Sequence, residues 1–165
     1  MKNLIIQLFA IALLFPACTT RYYIVRHAER LNNTPDSPLS STGNARAVIL
    51  RDTLQGKKIK HIFASTFQRT QQTAQPLATA LSLDLKIYRP DTTAGLVSRL
   101  KKIRGNNVLV VGHSNTVPDI VEGLSGQTVA EISEDDFDNL FIVKISRILT
   151  IRRTLVQTTY GPPSP

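Results

Sequence analysis

Strand-like and helix-like patterns alternate along most of this chain. Residues 21–25 are aromatic and β-branched, as a short strand requires. Asn, Pro, Asp and Ser then mark 31–38 as a loop. Ser41 or Thr42 can cap a helix running to about Leu54, with Ala47, Leu50 and Leu54 on one face and Gly56 as its stop. Residues 59–64 form a second strand, and Ser65 with Gln68 three positions on makes a capping-box pattern. The helix beyond carries Ala74, Leu77, Ala78 and Leu81 on one stripe, and Pro76 is expected to kink it or disturb its hydrogen bonds. Residues 85–88 read as a third strand. Thr92 or Thr93 then caps a helix with Leu96, Leu100 and Ile103 facing inward. The apolar run at 107–111 is the mark of a central strand covered on both faces. A short helix begins near Thr116, with Pro118 tolerated in its first turn.

Four strand–helix alternations predict an α/β fold: a mostly parallel sheet with helices on both faces and right-handed crossovers. Residues 140–145 and 149–158 add two strands joined by a turn near Ser146-Arg147, a C-terminal β-hairpin that makes the sheet mixed. Residues 161–165 are expected as a frayed tail.

At 165 residues, 42% hydrophobic and 19% charged, the chain has the composition of one globular domain with a full core. Its formal charge of +8 favours anionic partners. The basic pairs Lys57-Lys58, Lys101-Lys102 and Arg152-Arg153 are scattered, without interleaved aromatics, so nucleic acid is not an expected partner.

The amino terminus reads differently. Met1-Lys2 is a short positive region, residues 4–15 are apolar, and Ala17 precedes Cys18. This is the pattern of a secretory signal, too short for a comfortable membrane span. Phe15-Pro16-Ala17-Cys18 further resembles a bacterial lipoprotein signal, whose cysteine becomes the lipidated first residue. The expected organisation is a signal over 1–17, a domain over 18–160 and a tail over 161–165. The protein is then exported, facing the periplasm or exterior, and tethered to a membrane through Cys18. Cys18 is the single cysteine, so no intramolecular disulfide forms.

Three predicted strands end in chemistry. The first leads into Arg26-His27-Ala28-Glu29, the second into Ser65-Thr66-Phe67-Gln68-Arg69-Thr70, and the central one into Gly112-His113-Ser114-Asn115. Open α/β sheets bind ligands outside the carboxyl ends of their strands. Phosphoryl transfer needs a nucleophile, fixed positive charge and a proton source. His27 suits the nucleophile, with one ring nitrogen held and the other free. Arg26 and Arg69 supply fork-shaped cations, Arg69 at a helix start that favours the same anion. His113 suits a hydrogen-bond donor to a phosphate oxygen. Metal binding through His27 and His113 is disfavoured by the adjacent arginines and by the lack of a ligand set. His61 is expected to be structural or exposed.

These motifs, with Leu39-Ser40-Ser41-Thr42-Gly43, Gln71-Gln72-Thr73-Ala74 and Val110-Val111, resemble the histidine phosphatase superfamily, the phosphoglycerate mutase-like group named for its RHG motif. The resemblance runs over about residues 21–145, with Ala28 where the motif has Gly. It implies a three-layer αβα sandwich, a phosphohistidine on His27, a phosphate pocket of Arg26, Arg69 and His113, and no metal or other cofactor. Family members often carry an Asn shortly after the nucleophile that touches the phosphate, which points to Asn33. In larger members a Glu after the third strand donates the proton; here that strand leads into Arg89-Pro90-Asp91, which makes Asp91 the candidate, with Glu29 and Asp119 as rivals. The linker over 88–107 is too short for mutase-type lids. The expected activity is hydrolysis of a phosphomonoester, with a phosphorylated small molecule or a phosphoprotein as substrate. The alternatives are a phosphohistidine phosphatase acting on protein and a non-catalytic phosphoanion-binding lipoprotein.

Overall fold

The computed structural model describes residues 19–164, so the expected signal segment and Cys18 lie outside the described residues. The elements run β1 (Thr19–Arg26), α1 (Ser41–Leu54), β2 (Ile59–Ser65), α2 (Gln68–Leu81), β3 (Leu85–Tyr88), α3 (Thr93–Lys101), β4 (Asn107–Gly112), α4 (Thr116–Ser125), β5 (Asn139–Arg147) and β6 (Ile151–Thr159). One six-stranded sheet has the order β3-β2-β4-β1-β5-β6. β1 to β4 are parallel, and β5 and β6 close the sheet antiparallel.

Alternation along the inner strands explains the layers. Successive strand side chains point to opposite faces, and in β1 and β4 both sets are apolar. Tyr22, Ile24, Val108 and Val110 meet Leu96, Leu100, Val117, Ile120 and Leu124 of α3 and α4. Tyr23, Val25, Leu109 and Val111 meet Leu50, Leu54, Ala74 and Leu77 of α1 and α2. Two helices thus cover each face, the expected three-layer αβα sandwich. Each large aliphatic side chain buried this way contributes about 1.5–3 kcal/mol.

Local readings change at the starts of α1 and α2, at the hairpin turn and in the tail. The side chain that caps α1 is Ser40, whose Oγ accepts from the Gly43 N–H at 3.0 Å. Ser65 does not cap α2: that helix starts after Phe67 with no side-chain cap on its own strand. Its first N–H is instead accepted by Asp36 Oδ1 at 2.8 Å, from a residue 32 positions away. Pro76 lies inside α2, which remains one helix from Gln68 to Leu81. The hairpin turn falls at residues 148–150, after the expected 146–147, because ladder pairing continues to Arg147↔Ile151. The tail is held rather than frayed: Arg46 Nη1 donates to the Pro162 carbonyl at 2.9 Å, and Ser164 Oγ accepts from the Phe137 N–H at 2.8 Å.

Candidate active site

Register brings the two histidines together. Arg26 pairs with Gly112 across β1 and β4, and the His27 N–H donates to the Gly112 carbonyl at 2.9 Å. His27 and His113 therefore leave adjacent strands side by side, with ring centroids 5.4 Å apart, edge to face. On the other side of β4, Ala64 pairs with Val111, which sets Ser65 beside His113. Gly112 permits this packing, since a Cβ there would press on Thr116, Tyr88 and Val117. Gly43 is stricter still: a Cβ would collide with the backbone carbonyl of Glu29, so only glycine lets α1 start against the His27 loop.

The hydrogen bonds settle both tautomers. His27 Nδ1 lies 2.7 Å from the Ala28 carbonyl, which can only accept. Nδ1 therefore carries the proton, and Nε2 presents a lone pair. Burial, then Arg26, His113 and Arg69, push the His27 pKa down to about 3, so the ring is neutral near pH 7. His113 Nδ1 faces Arg69 Nη2 at 3.4 Å, and a guanidinium can only donate. Nε2–H of His113 therefore donates to Ser65 Oγ at 2.8 Å. Burial, then Arg69 and Arg26, bring the His113 pKa to about 4. In this state His113 has no N–H left for a phosphate oxygen. A protonated Nδ1 would restore such a donor.

Arg26 is almost fully buried. Its Nη1 donates to the Ser133 and Asp136 carbonyls at 2.6 and 3.1 Å, its Nη2 reaches Glu134 Oε2 at 3.1 Å, and the plane lies 4.4 Å over the Phe137 ring. Arg69, in the first turn of α2, donates to the Pro35 carbonyl at 2.8 Å and stacks 4.5 Å over Phe67. Thr73 ties the nucleophile loop to α2: its Oγ1 accepts from the Ala28 N–H at 2.9 Å and donates to the Arg69 carbonyl at 2.7 Å. The resulting cavity of about 460 Å³ is lined by Arg26, His27, Arg30, Phe67, Arg69, Pro90, His113, Ser114, Asn115 and Glu134.

His27, Arg26, Arg69 and His113 thus converge as expected, while two other candidates do not. Asp91 points away, its Oδ2 bonded to Arg89 Nη2 at 2.6 Å, and that bond holds its carboxyl below the ordinary range. Neither Asp91 nor Asn33 lines the cavity. Asn33 is exposed in its loop, whereas Arg30 lines the cavity. Of the rival acids, Glu29 is ion-paired to Arg46 at 2.8 Å, and Asp119 lines a neighbouring cavity that shares Ser114, Asn115 and Glu134 with this one. The acid in the lining is Glu134, which no strand end or helix start signals. Its Oε1 accepts from Ser114 Oγ at 2.7 Å, and its Oε2 also lies 3.9 Å from Arg30. Ser114 first, then Arg26, Arg30 and Arg69, hold its carboxyl below the usual range. His61 is partly buried away from the site, with Lys86 Nζ 2.9 Å from its Nδ1. Among the described residues no group of three or more His, Cys, Asp or Glu is placed to hold a metal ion.

Residues 22–90 match the sequence model of the histidine phosphatase superfamily, branch 1. An uncharacterized protein of Mycobacterium tuberculosis is 39% identical over 66 residues, or 36% of this chain and 33% of that protein. A probable phosphoglycerate mutase of Yersinia pestis is 36% identical over 70 residues, or 38% of this chain and 33% of that protein. The matched region spans about a third of the length of these relatives. Among solved structures, a mycobacterial hydrolase superposes with a TM-score of 0.71 at 14% identity, over 88% of this chain and 93% of that one. The protein histidine phosphatase SixA, complexed with tungstate, superposes with a TM-score of 0.64 at 21% identity, over 84% of this chain and 96% of that one. At these identities the likeness is one of fold.

Proposed function

We propose that this chain is a histidine phosphatase that hydrolyses phosphomonoesters, without a metal, through a phosphohistidine on His27. One observation carries the reading: the Ala28 carbonyl holds Nδ1–H of a neutral, buried His27, which frees Nε2 in a cavity flanked by Arg26, Arg30 and Arg69. The arginines bind the equatorial phosphate oxygens, and Nε2 attacks phosphorus in line with the leaving oxygen. The P–N bond forms as the P–O bond breaks. The substrate dianion competes with Glu134 for Arg26. Losing its cations and gaining an anionic neighbour raises the Glu134 carboxyl, so it takes up a proton and delivers it to the leaving oxygen. Ionised again, Glu134 draws a proton from the attacking water. The P–N bond then breaks, phosphate departs and His27 returns neutral. Asp91, the other candidate donor, is not used in this scheme.

A second reading rests on the same carboxylate. With Glu134 held ionised by Ser114 and Arg26, leaving groups that need no strong acid are favoured. The imidazole of a protein phosphohistidine is one, and the fold of SixA accords with it. For location, the apolar run at 4–15 and Cys18 support an exported, lipid-tethered protein. Turnover of p-nitrophenyl phosphate in the presence of chelator, with and without His27→Ala, tests the main reading. Chelator-resistant turnover abolished in the variant is expected. Turnover by a folded His27→Ala protein would refute the covalent route.

A further inference from the structure

The end of the sheet opposite His27 has a different surface. β1 begins there, with Thr19 paired to Ser146 and the two hydroxyls 3.4 Å apart. The β5–β6 hairpin projects past this point, its last rung Arg147↔Ile151. The turn beyond presents bare aliphatic side chains: Leu149 is 96% exposed, Ile148 64% and Ile151 59%. Cations surround it. Arg152 and Arg153 occupy the next two rungs, and Arg147 Nη2 donates to the Lys101 carbonyl at 3.3 Å. Thr20 Oγ1 donates to the Ile103 carbonyl at 3.4 Å, which brings Lys102 and Arg104 to the same end. The residues that precede Thr19 in the sequence include the apolar run at 4–15, so the chain enters the fold beside this tip.

Three adjacent exposed aliphatics are costly in water, and a projecting tip offers no flat face to a rigid partner. A ring of cations behind an apolar tip matches an interface whose apolar layer lies beneath negative headgroups. Among the described residues no helix is long and apolar enough to cross a membrane. We propose that this end of the molecule is a docking surface for an anionic lipid bilayer. Ile148, Leu149 and Ile151 enter the headgroup boundary, Arg152, Arg153, Arg104 and the lysines meet lipid phosphates, and the His27 cavity opens away from the membrane. The proposal stands apart from the phosphatase reading, since none of these residues lines that cavity.

The chain has no tryptophan, so an introduced indole is a unique reporter. Full chain carrying Leu149→Trp is mixed with vesicles of phosphatidylcholine and phosphatidylglycerol containing brominated acyl chains. Leu31→Trp, exposed beside the active site, is the control. The indole at 149 is expected to shift blue and be quenched, and that at 31 to stay in water. Arg152→Gln and Arg153→Gln are each expected to weaken partitioning about fivefold. Failure of the full chain to bind these vesicles overturns the proposal. So does a vesicle-bound chain whose indole at 149 still reports water, as expected if the amino-terminal run binds alone. Equal quenching at both positions, or equal insertion into pure phosphatidylcholine, overturns it as well.

Discussion

Ser65→Ala removes one buried hydroxyl and tests how His113 is held. Ser65 is fully buried, and its Oγ lies 2.8 Å from His113 Nε2 and 2.9 Å from Thr70 Oγ1. The change leaves a cavity smaller than a methyl group, so packing contributes little. What is lost is the acceptor for a buried N–H. In the free protein that costs about 1–3 kcal/mol of stability. If phosphate binding protonates His113, the bond strengthens from about 0.5–1.5 to about 1.5–3 kcal/mol, and only that excess of about 1–1.5 kcal/mol reaches kcat/KM, which should fall roughly 5- to 13-fold. The assay is kcat/KM on p-nitrophenyl phosphate beside urea unfolding at neutral pH. A folded Ser65→Ala protein with kcat/KM within about twofold of the parent would show that His113 needs neither this tautomer nor this partner.

Acid should destabilise the fold early. The folded-state pKa is about 3 for His27 and about 4 for His113, against 6.5 for free histidine. Between about pH 6.5 and 4 the unfolded chain binds protons that the folded one refuses, so stability falls as pH drops, by at most about 1.4 kcal/mol per pH unit for each histidine. Urea midpoints that stay flat across that window would contradict the buried, neutral pair. Gly43→Ala, which in an ordinary helix adds about 0.5–1 kcal/mol, should here lower stability and activity together, because its methyl meets the Glu29 carbonyl; a stabilised variant would refute the close approach. Glu134→Gln should slow an alkyl phosphate about a hundredfold while largely sparing an aryl phosphate, whose leaving group needs no acid. Equal losses on both substrates would remove Glu134 from proton transfer.

The layers and the four converging residues were legible because they rest on local patterns. The uninterrupted apolar run at 107–111 marked β4 as covered on both faces, and each of His27, Arg69 and His113 stands within a few residues of a strand end. Ser65 was misread because a capping box is also local: its hydroxyl is instead claimed by His113, 48 positions away. The cap on α2 comes from Asp36 for the same reason, since loop closure and not helix chemistry brings it there. Asp91 looked apt by position, but Arg89 two residues earlier captures its carboxylate on the surface. Glu134 sits between α4 and β5 in a stretch with no periodicity, and three-dimensional packing against Arg26 and Ser114 gives it meaning.

The most direct test of the account is to trap the intermediate. Protein mixed with radiolabelled phosphomonoester and quenched in alkali should carry label with the acid lability and alkali stability of a phosphohistidine, mapping to His27 and absent from folded His27→Ala. Label on another residue, or label that survives in His27→Ala, would contradict the central claim.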